Sequence, residues 1–334
     1  MDLKANEQEV AKWAARHAQT LGFNGSLIEA AYIWNPGGFV NQSYRLTDGE
    51  TVRHLKLAKE DKAPELRQWA RISGCLTDRY RAPRLVQEVT QEIVPGYTCG
   101  LVFEYLKGEP LSSAPDPLPV IEKVLPLLKQ LHTDKQIRQA IAGTPERQAL
   151  TYSDAFTQEY IGRFEEDLEG IKAGRQLLSF VSDATMAWFD SEVARLKRLV
   201  EEHPSFRKQA ADLVHNDLNW QNILVGGHGE YWIIDWDDLS AAGDAAMDYS
   251  VLLWPLYRTP DWPVWQERVS RLTGEDAAQR MEIYFRAKLL DDVIDVLADY
   301  VEAEHIPDVK EVTQERARGI HLRAYPEYLK LYGT

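Results

Sequence analysis

The chain has 334 residues, 44% of them hydrophobic and 27% charged, the balance of a soluble globular protein long enough for two lobes with separate cores. A formal net charge of -14 argues against non-specific binding to nucleic acid or anionic membrane, and is compatible with a cationic small-molecule substrate. Two cysteines, Cys75 and Cys99, supply neither a zinc site nor a disulfide framework; with no transmembrane-length apolar stretch and no signal-peptide core in the first residues, a cytoplasmic location is expected.

Taken in order, residues 7–21 carry Val10, Trp13, Ala14, Ala18 and Leu21 at helical spacing. Strands are then predicted at 28–34, 43–46 and 51–58, with Asn35-Pro36-Gly37-Gly38 in the first connection and Thr47-Asp48-Gly49-Glu50 in the second. Gly37 and Gly38 would let backbone amides approach a phosphate, although a plain hairpin turn fits them equally well. Lys56 stands in the otherwise apolar Leu55-Lys56-Leu57-Ala58, where an inward-pointing ammonium needs an anion such as a nucleotide phosphate. A helix is predicted over 63–76, opening with Pro64. Its Glu65 is the candidate partner of Lys56, a solvated first-turn position being the other reading.

Strands at 84–89 and 101–105 complete a five-stranded antiparallel lobe with one helix, spanning residues 1–105. The backbone around Glu104 and Leu106 would lie at the mouth of a cleft, where main-chain donors and acceptors could read an adenine edge. Residues 106–119 are rich in Pro, Gly and Ser and read as a linker. Beyond it, residues 106–334 form a mainly helical lobe, with helices expected at 120–132, 153–171, 183–202 and from 261 to the end.

The chemistry concentrates in Leu213-Val214-His215-Asn216-Asp217-Leu218-Asn219-Trp220-Gln221-Asn222-Ile223-Leu224-Val225 and Tyr231-Trp232-Ile233-Ile234-Asp235-Trp236-Asp237. These read as two short apolar strands around a Gly226-Gly227-His228-Gly229 turn, with the polar side chains at the strand ends. His215, Asp217 and Asn222 fit the H-x-D-x-x-x-x-N loop of phosphotransferases, and Asp235 stands where that architecture keeps a metal-binding carboxylate. Phosphoryl transfer needs reactants in position and divalent metal to offset the charge on the moving group. Magnesium prefers hard oxygen ligands, which Asn222 and Asp235 can supply. Asp217 is placed to accept an attacking hydroxyl's proton, and His215 to brace the loop.

These features resemble the aminoglycoside phosphotransferase and choline kinase family. The residues that carry the likeness are the two stretches above, Gly243-Asp244-Ala245-Ala246-Met247-Asp248 and, less specifically, Leu131-His132, Phe103-Glu104-Tyr105-Leu106-Lys107-Gly108-Glu109-Pro110 and Lys56. The resemblance implies an α+β, two-lobed protein-kinase-like fold with a small antiparallel-sheet lobe and a larger helical one. It implies an ATP- and magnesium-dependent kinase with Asp217 as base, Asn222 and Asp235 as metal ligands and Lys56 on the nucleotide phosphates. Two features depart from the family: Asn216 replaces the usual Gly, and the phosphate loop is poor in glycine. Asp248 follows Asp235 by only thirteen positions, too few for the activation segment that docks a peptide in protein kinases.

The acceptor is then a small hydroxyl compound. Asp291, Asp295 and Asp299 recur every four residues, with Asp292 beside them, and Trp254, Tyr257, Trp262 and Trp265 precede them. Such a face would suit an amino alcohol or aminoglycoside-like acceptor, while an exposed acidic face beside core tryptophans is the competing reading. A catalytically idle, nucleotide-binding module is the alternative for the whole chain.

Overall fold

The computed structural model describes residues 3–25, 27–34, 41–141 and 151–333; Gly37 and Gly38 lie outside them. It divides into two compact units. The first takes in Met1–Lys123, Lys135–Gly143 and Asp217–Leu239, the second Val124–Asp134, Thr144–Asn216 and Ser240–Thr334.

In the first unit β1 (Glu29–Ile33), β2 (Asn41–Thr47), β3 (Val52–Ala58), β4 (Leu85–Val89) and β5 (Cys99–Glu104) form an antiparallel sheet in the order β1-β2-β3-β5-β4. Period-two alternation sets its two faces. Tyr44, Leu46, Leu55, Leu57 and Val102 bury against Val10, Trp13 and Ala14 of the helix Leu3–Arg16. On the opposite face the helix Ala63–Tyr80 lays Trp69 on Phe103, with ring centroids 4.5 Å apart. Because β3 is central, its last four residues are all buried, so Lys56 is enclosed despite its charge. Gly100 lets β5 close on it: a Cβ there would stand 2.6 Å from the Lys56 carbonyl oxygen.

A second sheet joins β6 (Glu109–Pro110), β8 (Ile223–Val225) and β9 (Tyr231–Ile233), all antiparallel. Residues 106–119, expected as a linker, are thus partly built into this sheet. The helix Ala63–Tyr80 ends on Arg81 in the left-handed region (φ 59°), and the Arg81 carbonyl accepts from Ile233 N–H at 3.2 Å. Gln68 Nε2 donates to the Leu239 carbonyl at 2.7 Å, and the Tyr80 ring lies 6.1 Å from that of Trp236. Those contacts draw the stretch Asp217–Leu239 into the first unit.

The expected hairpin differs at its beginning. Leu213 and Val214 belong to β7 (Asp212–Val214), which pairs with β10 (Ser240–Gly243) in the second unit rather than with β9. The chain turns at Asn216, with φ 70°, before β8 starts. Gly243 permits the β7–β10 contact, since a Cβ there would lie 2.0 Å from Val214 Cγ2.

The second unit is otherwise helical, with Tyr152–Phe156, Gly162–Ala173, Asp183–Glu202, Ala245–Leu253, Glu275–Glu302 and Lys310–Tyr332 as its longer or better-capped members. Ser182 caps Asp183–Glu202 by accepting from Thr185 N–H at 3.0 Å. The helix expected over 153–171 is interrupted by a π turn at Thr157–Ile161. The tryptophans of residues 254–265 pack mainly on other rings rather than standing open: Trp254, Tyr257 and Trp262 surround Phe285, with Tyr257 stacked at 4.0 Å. Among the described residues no helix is long and apolar enough to cross a membrane.

Candidate active site

The loop before β8 builds its own carboxylate holder. Asn219 begins the turn Trp220–Asn222 and caps it, its side-chain oxygen accepting from Gln221 N–H at 2.8 Å and Asn222 N–H at 3.3 Å. Its Nδ2 then donates to Asp217 Oδ1 at 2.8 Å. Asn222 Nδ2 donates to Asp217 Oδ2 and to the Asp217 carbonyl, each at 2.8 Å. Both carboxylate oxygens are therefore fixed by amides of the same short turn. Since Asn222 Nδ2 is committed to Asp217, the side-chain oxygen Oδ1 is the atom left to meet a cation.

Sheet register brings the next carboxylate alongside. Ile223 pairs with Ile233, and Ile234 N–H donates to the Asn222 carbonyl at 2.9 Å, so Asp235 leaves β9 next to the residue that precedes β8. Asp235 has φ 66°, a left-handed conformation that costs a non-glycine residue energy and persists where surrounding structure imposes it. Asn222 and Asp235 fit a hard divalent cation that takes its remaining ligands from phosphate and water. Among the described residues, no group of three or more His, Cys, Asp or Glu side chains forms a metal cage.

Lys56 faces these residues. Its ammonium pairs with Asp235 and, at 2.7 Å, with Asp237 Oδ2, and lies 5.7 Å from the Trp69 ring centre. Burial pulls the Lys56 ammonium down, but Asp235 and Asp237 outweigh it and hold its affinity for a proton above the ordinary value. Burial lifts Asp237 above the usual carboxylate range in spite of Lys56. The pair expected between Lys56 and Glu65 does not form; Glu65 lies 3.8 Å from Lys62, one helical turn away. Helical geometry explains this, because Leu66, Trp69 and Ala70 occupy the buried face and Glu65 flanks it. Glu104 is occupied within the sheet: its N–H donates to the Arg84 carbonyl at 3.0 Å and its carboxylate accepts from Arg84 N–H at 3.0 Å. Leu106 lines an open hollow with Tyr105, Gly108, Val225 and Gly226.

Within the second unit, Asp248 holds the two residues that precede Asp217. Buried Asp248 accepts from the backbone N–H of His215 at 2.9 Å and of Asn216 at 2.8 Å, and its Oδ2 lies 2.9 Å from His132 Nε2. Asn tolerates the left-handed backbone at position 216 better than most residues other than glycine. Its Nδ2 also donates to Glu159, in the π turn, at 3.3 Å.

A family model of the phosphotransferase enzyme family matches residues 35–284, most of the chain. The chain belongs to this family. No curated protein sequence matches it significantly. Solved structures agree in fold at low identity. The GDP and kanamycin complex of APH(2")-IIia is similar with a TM-score of 0.63 and 14% identity, over 95% of this chain and 99% of that one. Spectinomycin phosphotransferase APH(9)-Ia, with ADP and spectinomycin, gives 0.58 and 14% over 97% and 94%. Plasmodium vivax ethanolamine kinase gives 0.51 and 15% over 90% and 83%. The protein is a phosphotransferase of this family, with a small antiparallel sheet and a larger helical portion.

The acidic face of this phosphotransferase lies in its second unit and is partly neutralised. Asp291 is buried and pairs with Arg163 and Lys288. Asp167, on the helix Gly162–Ala173, joins the set. Burial, followed by Asp295, pushes Asp167 and Asp299 each up to about 7; burial, followed by Asp291, pushes Asp295 up to about 6. The folded protein thus holds protons that the unfolded chain releases near the ordinary value of 3.8. Their contribution to stability is fully present below that value and is lost as pH rises toward about 7. Asp299→Asn, which keeps the shape without the charge, is expected to raise the melting temperature at about pH 8 and to change it little at about pH 4. An equal change at both would contradict the assignment.

Three contributors escaped the sequence reading: Asn219 as holder of Asp217, Asp237 as partner of Lys56, and Asp248 as the acceptor of the loop amides. Asn219 carries a local signal, an Asn at the start of a turn. The other two depend on pairings that span 181 and 33 residues.

Proposed function

We propose that the protein transfers the γ-phosphoryl group of ATP, with magnesium, to a hydroxyl of a small molecule. The observation that carries this reading is Asp217, gripped on both carboxylate oxygens by Asn219 and Asn222, with Ile234, the residue before Asp235, bonded to the Asn222 backbone. Asp217 takes the hydroxyl proton as the acceptor oxygen bonds to phosphorus and the bond to the bridging oxygen breaks, releasing nucleoside diphosphate. Asn222 and Asp235 would hold magnesium, which would offset the charge on the phosphates. Lys56 supplies a cation for the phosphates, and Leu106 with its neighbours a surface for the base. Gly37, Gly38 and the backbone around Glu104 are further candidates for contact with the nucleotide, and His215 for bracing the loop.

The acceptor is an amino alcohol or aminoglycoside-like compound in this reading. Asp167, Asp295 and Asp299 support it as carboxylates that a bound cation would favour, and the aminoglycoside, spectinomycin and ethanolamine enzymes of similar fold point the same way. The test is nucleoside diphosphate release from magnesium ATP, and from magnesium GTP, with pools of aminoglycosides, choline-type amines, amino alcohols and neutral sugars. Stimulation by a cationic pool, reduced in Asp295→Asn, is expected. Selective turnover of neutral sugars would remove the cationic acceptor, and no stimulation by any pool would favour the idle module.

A further inference from the structure

In the nucleotide site just proposed, on which this inference rests, we infer that Asp237, rather than a carboxylate of the neighbouring helix, is the permanent positioning partner of Lys56. A buried lysine that must meet phosphates needs a fixed anion to keep its ammonium charged and aimed. The helix Ala63–Tyr80 does not provide one. Its face toward β3 offers the Trp69 ring, 5.7 Å from the ammonium, while Glu65, with one carboxylate oxygen 3.8 Å from Lys62 and the other buried without a hydrogen-bond partner among the described residues, makes no pair with Lys56. Asp235 contacts Lys56 but has a competing duty in the proposed function, where its carboxylate would hold a cation with Asn222. When that carboxylate serves the cation, Asp237 remains. Its Oδ2 lies 2.7 Å from Lys56 Nζ, its side chain is 13% exposed against 33% for Asp235, and it also accepts from Asn41 Nδ2 at 3.1 Å. Asn41 opens β2 and Lys56 lies in β3, so Asp237 is fixed to the sheet that carries its lysine. The second carboxylate of Asp235-Trp236-Asp237 thereby takes a task that Glu65 of the helix, which makes no pair with Lys56, does not perform.

The test compares nucleotide binding by calorimetry for the wild type, Asp237→Asn, Asp235→Asn, Asn41→Ala and Glu65→Gln, using ATP and adenosine, and GTP and guanosine, with and without magnesium. Asp237→Asn is expected to weaken triphosphate binding about tenfold both with and without magnesium, since the net interaction of one buried charge pair is of that order, and to leave nucleoside binding unchanged. Asp235→Asn is expected to weaken triphosphate binding only with magnesium. Asn41→Ala, which alters no charge, should shift it in the same sense as Asp237→Asn by about threefold, and so keeps the test decisive if Asp237→Asn folds poorly. Glu65→Gln should bind as the wild type does. Triphosphate affinity unchanged in both Asp237→Asn and Asn41→Ala, or a loss in Glu65→Gln as large as in Asp237→Asn, overturns the inference while leaving the kinase reading intact. A wild type that binds neither triphosphate removes both.

Discussion

Asp217→Ala is expected to lower turnover about a thousandfold and to leave nucleotide affinity within about threefold of the wild type, the loss being that of a positioned general base. The separation of the two effects follows from the geometry. Asp217 bonds to Asn219 and Asn222 in its own turn, whereas the ammonium proposed to meet the phosphates is held by Asp235 and Asp237. Asp217→Asn sharpens the prediction. It keeps the side chain's size and removes its charge, so a similar fall in rate would identify the carboxylate, not the shape of the loop, as the active feature. Single-turnover rates with calorimetric nucleotide titration would check this. A residual rate within tenfold of wild type would contradict the assignment of Asp217 as base.

The largest expected stability effect belongs to Lys56. Lys56→Met keeps most of the side-chain volume but leaves Asp235 and Asp237 facing each other without their cation, in a site where Asp237 is well buried. Removing one partner of a buried ion pair typically costs about 3–5 kcal/mol, and the lower end applies because Asp235 is a third exposed to screening solvent. The double variant Lys56→Met with Asp237→Asn removes one stranded charge and should recover a substantial part of that loss, which makes the two changes non-additive. Urea unfolding of the two single variants and the double variant is the check. Additive losses would mean that the pair is not energetically coupled.

The parts of the site visible in the sequence are those whose geometry is local. The four residues between Asp217 and Asn222 form one tight turn, so their spacing already implies that the two side chains meet. Lys56 was legible because a charge in an apolar central strand demands a buried anion. Which anion was not legible, since the helix puts Trp69 against the sheet while Lys56 pairs with Asp235 and Asp237 at separations of 179 and 181 residues. The hairpin was misread at its start because Leu213 and Val214 have the same apolar character as Ile223 and Leu224, and only the turn at Asn216 separates the two strands. The five-stranded sheet was clear from alternation and turn residues. The acidic residues 291, 295 and 299 do share a helix, but the neutralisation of Asp291 by Arg163 across 128 residues could not be read from spacing.

The most direct test of the account is phosphorus NMR of magnesium ATP incubated with the acceptor pool that stimulates release, alongside the Asp217→Ala variant. The account predicts a new phosphate monoester on the acceptor and ADP in equal amounts with the wild-type protein, and neither with the variant. ADP accompanied only by inorganic phosphate, or a monoester formed equally well by Asp217→Ala, would contradict it.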